Sequence, residues 1–124
     1  MADILHRKLS FDVIGCTQRV HSALEPGFPE SVYQKAMGHE LAKARVPFET
    51  EKCLQVWYEK CLCGDFRVDL LVDGKIVLDL KALDRLTDEH LAQALSYLKA
   101  SGLQLAILMN FGCASLSLIH ISEP

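Results

Sequence analysis

The chain has 124 residues, half of them hydrophobic and 23% charged, with a formal net charge of −3. That balance suits one globular domain with a single core and excludes a chain too polar to fold. No apolar run reaches bilayer-spanning length, and the opening Met-Ala-Asp-Ile-Leu-His-Arg-Lys lacks the apolar stretch of a secretory signal, so a cytoplasmic protein off the membrane is the expectation.

The acidic balance counts against indiscriminate nucleic-acid binding, which depends on neutralising phosphates. A local basic face can offset it, with Lys35, Lys43, Arg45, Lys52, Lys60, Arg67 and Lys99 as candidates. The five cysteines (Cys16, Cys53, Cys61, Cys63, Cys113) are odd in number and scattered, which argues against a disulfide framework. Cys61-Leu-Cys63 has no second pair and does not space like a zinc site, so reduced and mostly buried thiols are expected.

In chain order, a helix is predicted over 10–24, with Ser10 as N-cap and Phe11, Val13, Ile14, Val20 and Leu24 as an apolar stripe. Glu25-Pro26-Gly27 breaks it. A second helix spans 29–45, opened by Pro29, with Val32, Tyr33, Ala36, Met37, Leu41 and Ala44 on one face and Glu40 as a polar intruder. Alternation predicts a strand over 48–59, a loop at 61–65, and strands over 65–73 and 75–83. Thr87 or Asp88 caps a helix running to about Ala100, which Ser101-Gly102 stops. The apolar run 103–111 reads as a buried strand. The order α-α-β-β-β-α-β predicts a mixed sheet flanked by helices, since a strand–helix–strand segment implies a crossover.

Asp69-Leu-Leu-Val-Asp-Gly-Lys-Ile-Val-Leu-Asp79-Leu-Lys81 places two carboxylates and a lysine in an otherwise apolar strand pair. A two-residue loop at Asp73-Gly74 would set apolar side chains against Lys75, Asp79 and Lys81. A three-residue loop, Asp73-Gly74-Lys75, instead pairs Val72 with Ile76, Leu70 with Leu78 and Val68 with Leu80, giving one wholly apolar face. Asp69 then lies opposite Asp79, with Lys81 on the same side. Carboxylates brought together repel unless one is protonated or a cation intervenes, and hard oxygen ligands favour Mg2+ or Mn2+. A solvent-facing sheet edge with a Lys81–Asp79 ion pair accounts for the same pattern without a metal.

Several short pieces stand out together: Gly27-Phe-Pro-Glu30-Ser-Val-Tyr33, Asp69-Leu-Leu-Val, Asp79-Leu-Lys-Ala82, His90-Leu-Ala-Gln93-Ala-Leu-Ser-Tyr97-Leu-Lys-Ala100 and Asn110-Phe-Gly112. In combination they resemble the GxxExxY family of the PD-(D/E)XK nuclease superfamily. The resemblance covers about residues 12–114, with Asp79 where the usual pattern has Glu. It implies an α/β, restriction-endonuclease-like core. It also implies metal-dependent hydrolysis of DNA or RNA phosphodiesters, with Asp69, Asp79 and the Leu80 carbonyl as ligands to Mg2+ or Mn2+. Lys81 would act on the attacking water and the phosphate, and Glu30 would complete the acid set. Gln93 and Tyr97, four apart on one helix face, would meet substrate or support the acids. His21 and His90 sit at family-like positions, and Tyr33 reads as a core-edge aromatic. A noncatalytic nucleic-acid-binding or regulatory module that keeps the fold is the alternative, since a fold alone does not establish activity. Small size is consistent with a homodimer.

Residues 116–124, Leu-Ser-Leu-Ile-His-Ile-Ser-Glu-Pro, resemble the in-frame translation of a transposon-end sequencing adapter. The expectation is a single domain over 1–115 followed by an extraneous tail. A genuine last strand packing Leu116, Leu118, Ile119 and Ile121 is the other reading.

Overall fold

Two helices precede the sheet and a third interrupts it. The order is α1 (Arg7–Leu24), α2 (Glu30–Lys43), β1 (Phe48–Tyr58), β2 (Cys61–Val72), β3 (Ile76–Lys81), α3 (Asp88–Ser101), β4 (Leu105–Asn110) and β5 (Ser117–Ser122). The computed structural model describes residues 6–122. The strands lie in one sheet in sequence order, β1-β2-β3-β4-β5. β3 and β4 run parallel because α3 carries the chain across between them, and the other neighbours are antiparallel. This is the mixed α/β sheet flanked by helices that the element order predicts. Among the described residues no helix is long and apolar enough to cross a membrane.

Both faces of the sheet are covered. α1 and α2 cover one face, where Val13, Met37 and Leu41 meet Leu70, Val72, Leu78, Leu80 and Ile107. α3 covers the other, where Tyr97 and Leu98 meet Leu54, Val68, Leu71, Val77 and Ala106. β3 and β4 are therefore apolar nearly throughout, as strands buried on two sides must be. Glu40, the polar intruder of α2, bonds to Arg19 of α1 at 2.6 Å and to Lys43 at 3.1 Å, tying the two helices together at their surface.

The three-residue turn is present. Lys75 donates its N–H to the Val72 carbonyl at 2.9 Å. Val72 pairs with Ile76 and Leu70 with Leu78. Asp73 and Gly74 both take positive φ (51° and 63°), the second being the glycine position that the turn requires.

The wholly apolar face does not extend as far as Val68. Leu70 and Val72 pack with α1 and α2, but Val68 packs with α3. Residues two apart in a strand normally share a face. The switch falls at Asp69. Opposite it, β1 passes from Thr50↔Leu70 to Lys52↔Val68 with Glu51 and Asp69 unpaired between them, and Glu51 is left-handed at φ 50°. β1 switches too, since Phe48 belongs to the α1–α2 side and Leu54 to the α3 side. One residue of local twist redirects both strands.

Other boundaries shift for local reasons. α1 begins at Arg7, a turn before Ser10, because nothing in Arg7-Lys8-Leu9 breaks a helix and Leu9 packs on the core. Ser10 is thus buried inside the helix and does not cap it. Cys61 to Asp65 form no loop but pair with β1, from Tyr58↔Cys61 to Gln55↔Asp65, so the β1–β2 hairpin extends well beyond the rest of the sheet. That projection leaves Cys53, Cys61 and Cys63 exposed, against the expectation of mostly buried thiols; Cys16 is buried, and all five are free. Residues 117–122 form β5, paired with β4 from Leu105↔Ser122 to Asn110↔Ser117. Leu116 and Leu118 pack on the α1–α2 core and Ile121 on the α3 core.

Candidate functional site

β2 and β3 stay paired for three residues and then part, and the site lies where they part. Their ladder ends at Leu70↔Leu78, so Asp69 does not face Asp79 in a regular backbone pair as the register predicts. Its side chain takes over: Asp69 Oδ2 accepts the N–H of Leu80 at 2.7 Å. Leu80 keeps its side chain in the α1–α2 core. Asp79 and Lys81 follow the alternation of Val77 toward α3. Asp79 is 2% exposed. Its Oδ1 meets Lys81 Nζ at 3.3 Å, and its Oδ2 is buried with no hydrogen-bond partner.

α3 supplies the next side chains. Its start is fixed by a reciprocal cap in which Thr87 bonds to the backbone of His90 and the His90 ring answers; Nδ1 accepts the Thr87 N–H at 2.9 Å. Gly102 closes it in the left-handed conformation. Gln93 Oε1 accepts from Lys81 Nζ at 2.9 Å, so the ammonium is held between a carboxylate and an amide. Tyr97, one turn further, is buried beneath them and packs edge-on against Phe66 at 6.1 Å. Glu30 enters from the opposite layer, at the first turn of α2.

Electrostatics tie these groups into one cluster. Burial pushes the Asp79 carboxyl up to about 6, with Lys81 pulling down and Asp69 and Glu30 pushing further up. Burial also raises Asp69, against the Leu80 N–H and Lys81. Glu30 is an exposed residue, yet partial loss of water and the neighbouring Asp69 raise its carboxyl, opposed by Lys81 and His90. Burial and the three carboxylates push the Tyr97 hydroxyl up to about 12. Glu30, Asp69, Asp79, Lys81, Gln93 and Tyr97 are thus brought together.

The other expected residues lie elsewhere. Tyr33 is fully buried, stacked on Phe111 at 4.7 Å, and donates to the Glu25 carbonyl at 2.6 Å, which makes it a core residue. His21 Nε2 lies 2.8 Å from the Cys113 carbonyl. The basic candidates do not form one face. Lys43 pairs with Glu40, Lys52 with Glu49 and Arg67 with Glu51, while Arg45 lines a cleft at the far end of β3 with Asp73 and Lys75.

Pattern reading alone gave Asn110 no role. It is buried at the end of β4, accepts the N–H groups of Leu83 and Gly112 at 2.9 and 3.0 Å, and donates to the Leu83 carbonyl at 3.0 Å. It ties the chain leaving Lys81 to the chain leaving β4. Gly112 lies so close that a Cβ there would stand 2.2 Å from the Leu83 carbonyl oxygen. The one advance signal was Asn-Phe-Gly following an apolar run.

Comparison with known proteins agrees with this architecture. A family model for the PD-(D/E)XK nuclease superfamily matches residues 7–120. A solved structure described as "Crystal structure of SSO0001" superposes with a TM-score of 0.61 at 19% identity, covering 76% of this chain and 50% of that one. The chain thus spans about half the length of that protein, and the likeness concerns the fold. No curated protein matches significantly. With the family model spanning almost the whole sequence, the chain belongs to the PD-(D/E)XK nuclease superfamily.

Proposed function

We propose that this protein is a divalent-metal-dependent phosphodiesterase acting on DNA or RNA in the cytoplasm, and that within its superfamily it belongs with the GxxExxY proteins. Asp69 and Asp79 are the metal-holding carboxylates, Lys81 is the cation beside the phosphate, and Gln93 positions Lys81.

The observation that carries this reading is the Asp79 carboxylate. One oxygen meets Lys81 and the other is buried without a partner. A buried carboxylate oxygen with nothing bound is costly, and a cation relieves that cost. The donors are hard oxygens, which suits Mg2+ or Mn2+. Among the described residues no three His, Cys, Asp or Glu side chains stand close enough to cage a metal. Two carboxylates therefore form the core of the set, the Leu80 carbonyl is a further ligand, and Glu30 would act through a metal-bound water. An incomplete protein shell fits magnesium, which keeps several of its waters.

A bound divalent ion would supply positive charge opposite the phosphate and make water more acidic. The chain's own groups do the rest. Lys81, fixed at two points, offers its ammonium to charge building on the phosphate. Tyr97, its hydroxyl pushed up to about 12 by burial and the carboxylates, stays protonated and is no base. Glu30, at a helix start on the opposite layer, closes the acidic side of the cleft.

The test is purified protein against mixed nucleic acids with and without manganese, beside Lys81→Ala and Asp69→Asn. Cleavage only with metal and abolished in both variants supports the reading; activity that survives both belongs to a contaminant. One observation favours a second reading: Lys81 already neutralises Asp79 without a metal, as a noncatalytic binding module would allow. Binding without hydrolysis under manganese would select it. Sedimentation would show whether a homodimer lengthens the nucleic acid covered.

A further inference from the structure

The projecting half of the β1–β2 hairpin carries most of the exposed large apolar side chains among the described residues: Val56, Trp57, Tyr58, Leu62 and Phe66. Such a concentration marks a contact surface. The register shifts between Val56 and Trp57, an irregularity that re-aims the side chains beyond it. Trp57 is left 56% exposed. Between this segment and α3 runs a groove of about 400 Å³, lined by Gln55, Val56, Trp57, Ser96, Lys99 and Ala100.

We infer that this groove receives a single-stranded stretch of nucleic acid leading from the site, with a base against Trp57 and a phosphate at Lys99. The inference deepens the nuclease reading and rests on it for the kind of ligand.

Charge points to this occupant. The protein as a whole is acidic, yet the groove has no acidic lining residue, and Lys99 forms no ion pair among the described residues. An aromatic face beside a free cation is the pairing that holds base and backbone together. The groove and the site share α3, which lends Ser96, Lys99 and Ala100 to the one and Gln93 and Tyr97 to the other. Lys99 lies six residues beyond Gln93 on α3, about 9 Å along the helix. Phe66 bridges the two regions, edge-on to Tyr97 on one side. On its other side Gly64, paired with Val56, makes room for it, since a Cβ there would stand 3.3 Å from the Phe66 ring. A duplex hides its base faces in the stack, so a side chain that stacks on a base selects unpaired strands.

Trp57 is the sole tryptophan, so its fluorescence reports on this groove alone. The experiment titrates the full chain, in EDTA to prevent cleavage, with short oligothymidylate, oligouridylate and a blunt duplex. Saturable quenching by single strands and much less by duplex is expected, and the two single strands distinguish DNA from RNA. Trp57→Phe should keep most of the affinity, and Trp57→Ala, followed by anisotropy of a labelled strand, should lose about tenfold. Lys99→Ala should weaken binding and lower the salt slope by about one. Unchanged emission with every strand overturns the inference. So does equal quenching by duplex, or a Lys99→Glu variant, folded by circular dichroism, that binds as well as the parent. Emission that shifts with protein concentration alone overturns it in favour of a second copy on this face. Binding here without hydrolysis under manganese would sink the nuclease reading and leave the groove standing; metal-dependent hydrolysis with silent Trp57 emission would do the reverse.

Discussion

Asp69 Oδ2 stands in for a backbone carbonyl of the ladder: it accepts the N–H of Leu80 at 2.7 Å at the level where β2 has stopped pairing with β3. One carboxylate thereby closes the gap between the strands and faces the cluster around Asp79. Its two tasks can be separated. Asp69→Asn keeps an acceptor for Leu80 and should cost little stability. Asp69→Ala leaves a backbone donor unsatisfied and should cost about 1–3 kcal/mol in urea unfolding. Both should abolish stabilisation by manganese, read as a shift in melting temperature with added ion.

Asp79 should make the protein less stable as pH rises from about 4 to about 6. Its carboxyl ionises near the ordinary value of 3.8 when unfolded and at about 6 when folded. A raised folded value means that the unfolded state gives up its proton first. The stabilisation is present below the unfolded value and is lost as pH climbs through the folded one. The size is about 3 kcal/mol. Asp79→Asn should remove most of this slope and melt higher than the parent at pH above 7 in EDTA. Identical pH profiles for the two proteins would refute the assignment.

Gln93→Ala should leave the fold intact, since the residue is exposed on α3, but it frees Lys81 from one of its two anchors. The expected result is a drop in turnover of about tenfold to a hundredfold with little change in KM, because a positioned cation acts mainly on the transition state. Gln93→Glu should restore an acceptor for Lys81 while adding charge. A loss confined to KM would show that Gln93 touches substrate and does not hold Lys81.

Asn110→Ala and Gly112→Ala should be the most destabilising of these changes. The first removes four hydrogen bonds, one of them to the Cys113 sulfur, from a buried junction, at about 2–4 kcal/mol in denaturant unfolding. The second drives a methyl group into the Leu83 backbone, which cannot yield as a flexible side chain would. Because Leu83 lies two residues past Lys81, any activity left should fall further than stability alone predicts.

Removing residues 116–124 tests the last strand. β5 covers the edge of β4 and brings Leu118 and Ile121 to the two cores, with Leu116 just before it. Its loss should lower the melting temperature and promote association through the bared edge, visible as concentration-dependent light scattering. An unchanged, monodisperse protein would show that β5 contributes nothing to the fold and would agree with a tail foreign to the gene.

The sequence by itself determined what is local in cause. Apolar matching across Asp73-Gly74-Lys75 set the β2–β3 register, because a slip by one residue would exchange the faces and set Lys75, Asp79 and Lys81 against the apolar side chains of β2. Thr87 and Gly102 bounded α3 through the capping needs of its own backbone. The order of helices and strands followed from periodicity. Only the tertiary structure decided how far these pieces run and which groups from different layers meet. The face switch at Glu51 and Asp69 turns on a single left-handed residue inside a strand, which alternation does not register. The length of the β1–β2 hairpin depends on Cys61–Asp65 finding a partner in β1. Lys81 reaches Gln93, and Glu30 enters the field of Asp69, because α3 and α2 close over opposite faces of the same parting strands. Such contacts are set by packing between elements distant in sequence, and no spacing within one element records them.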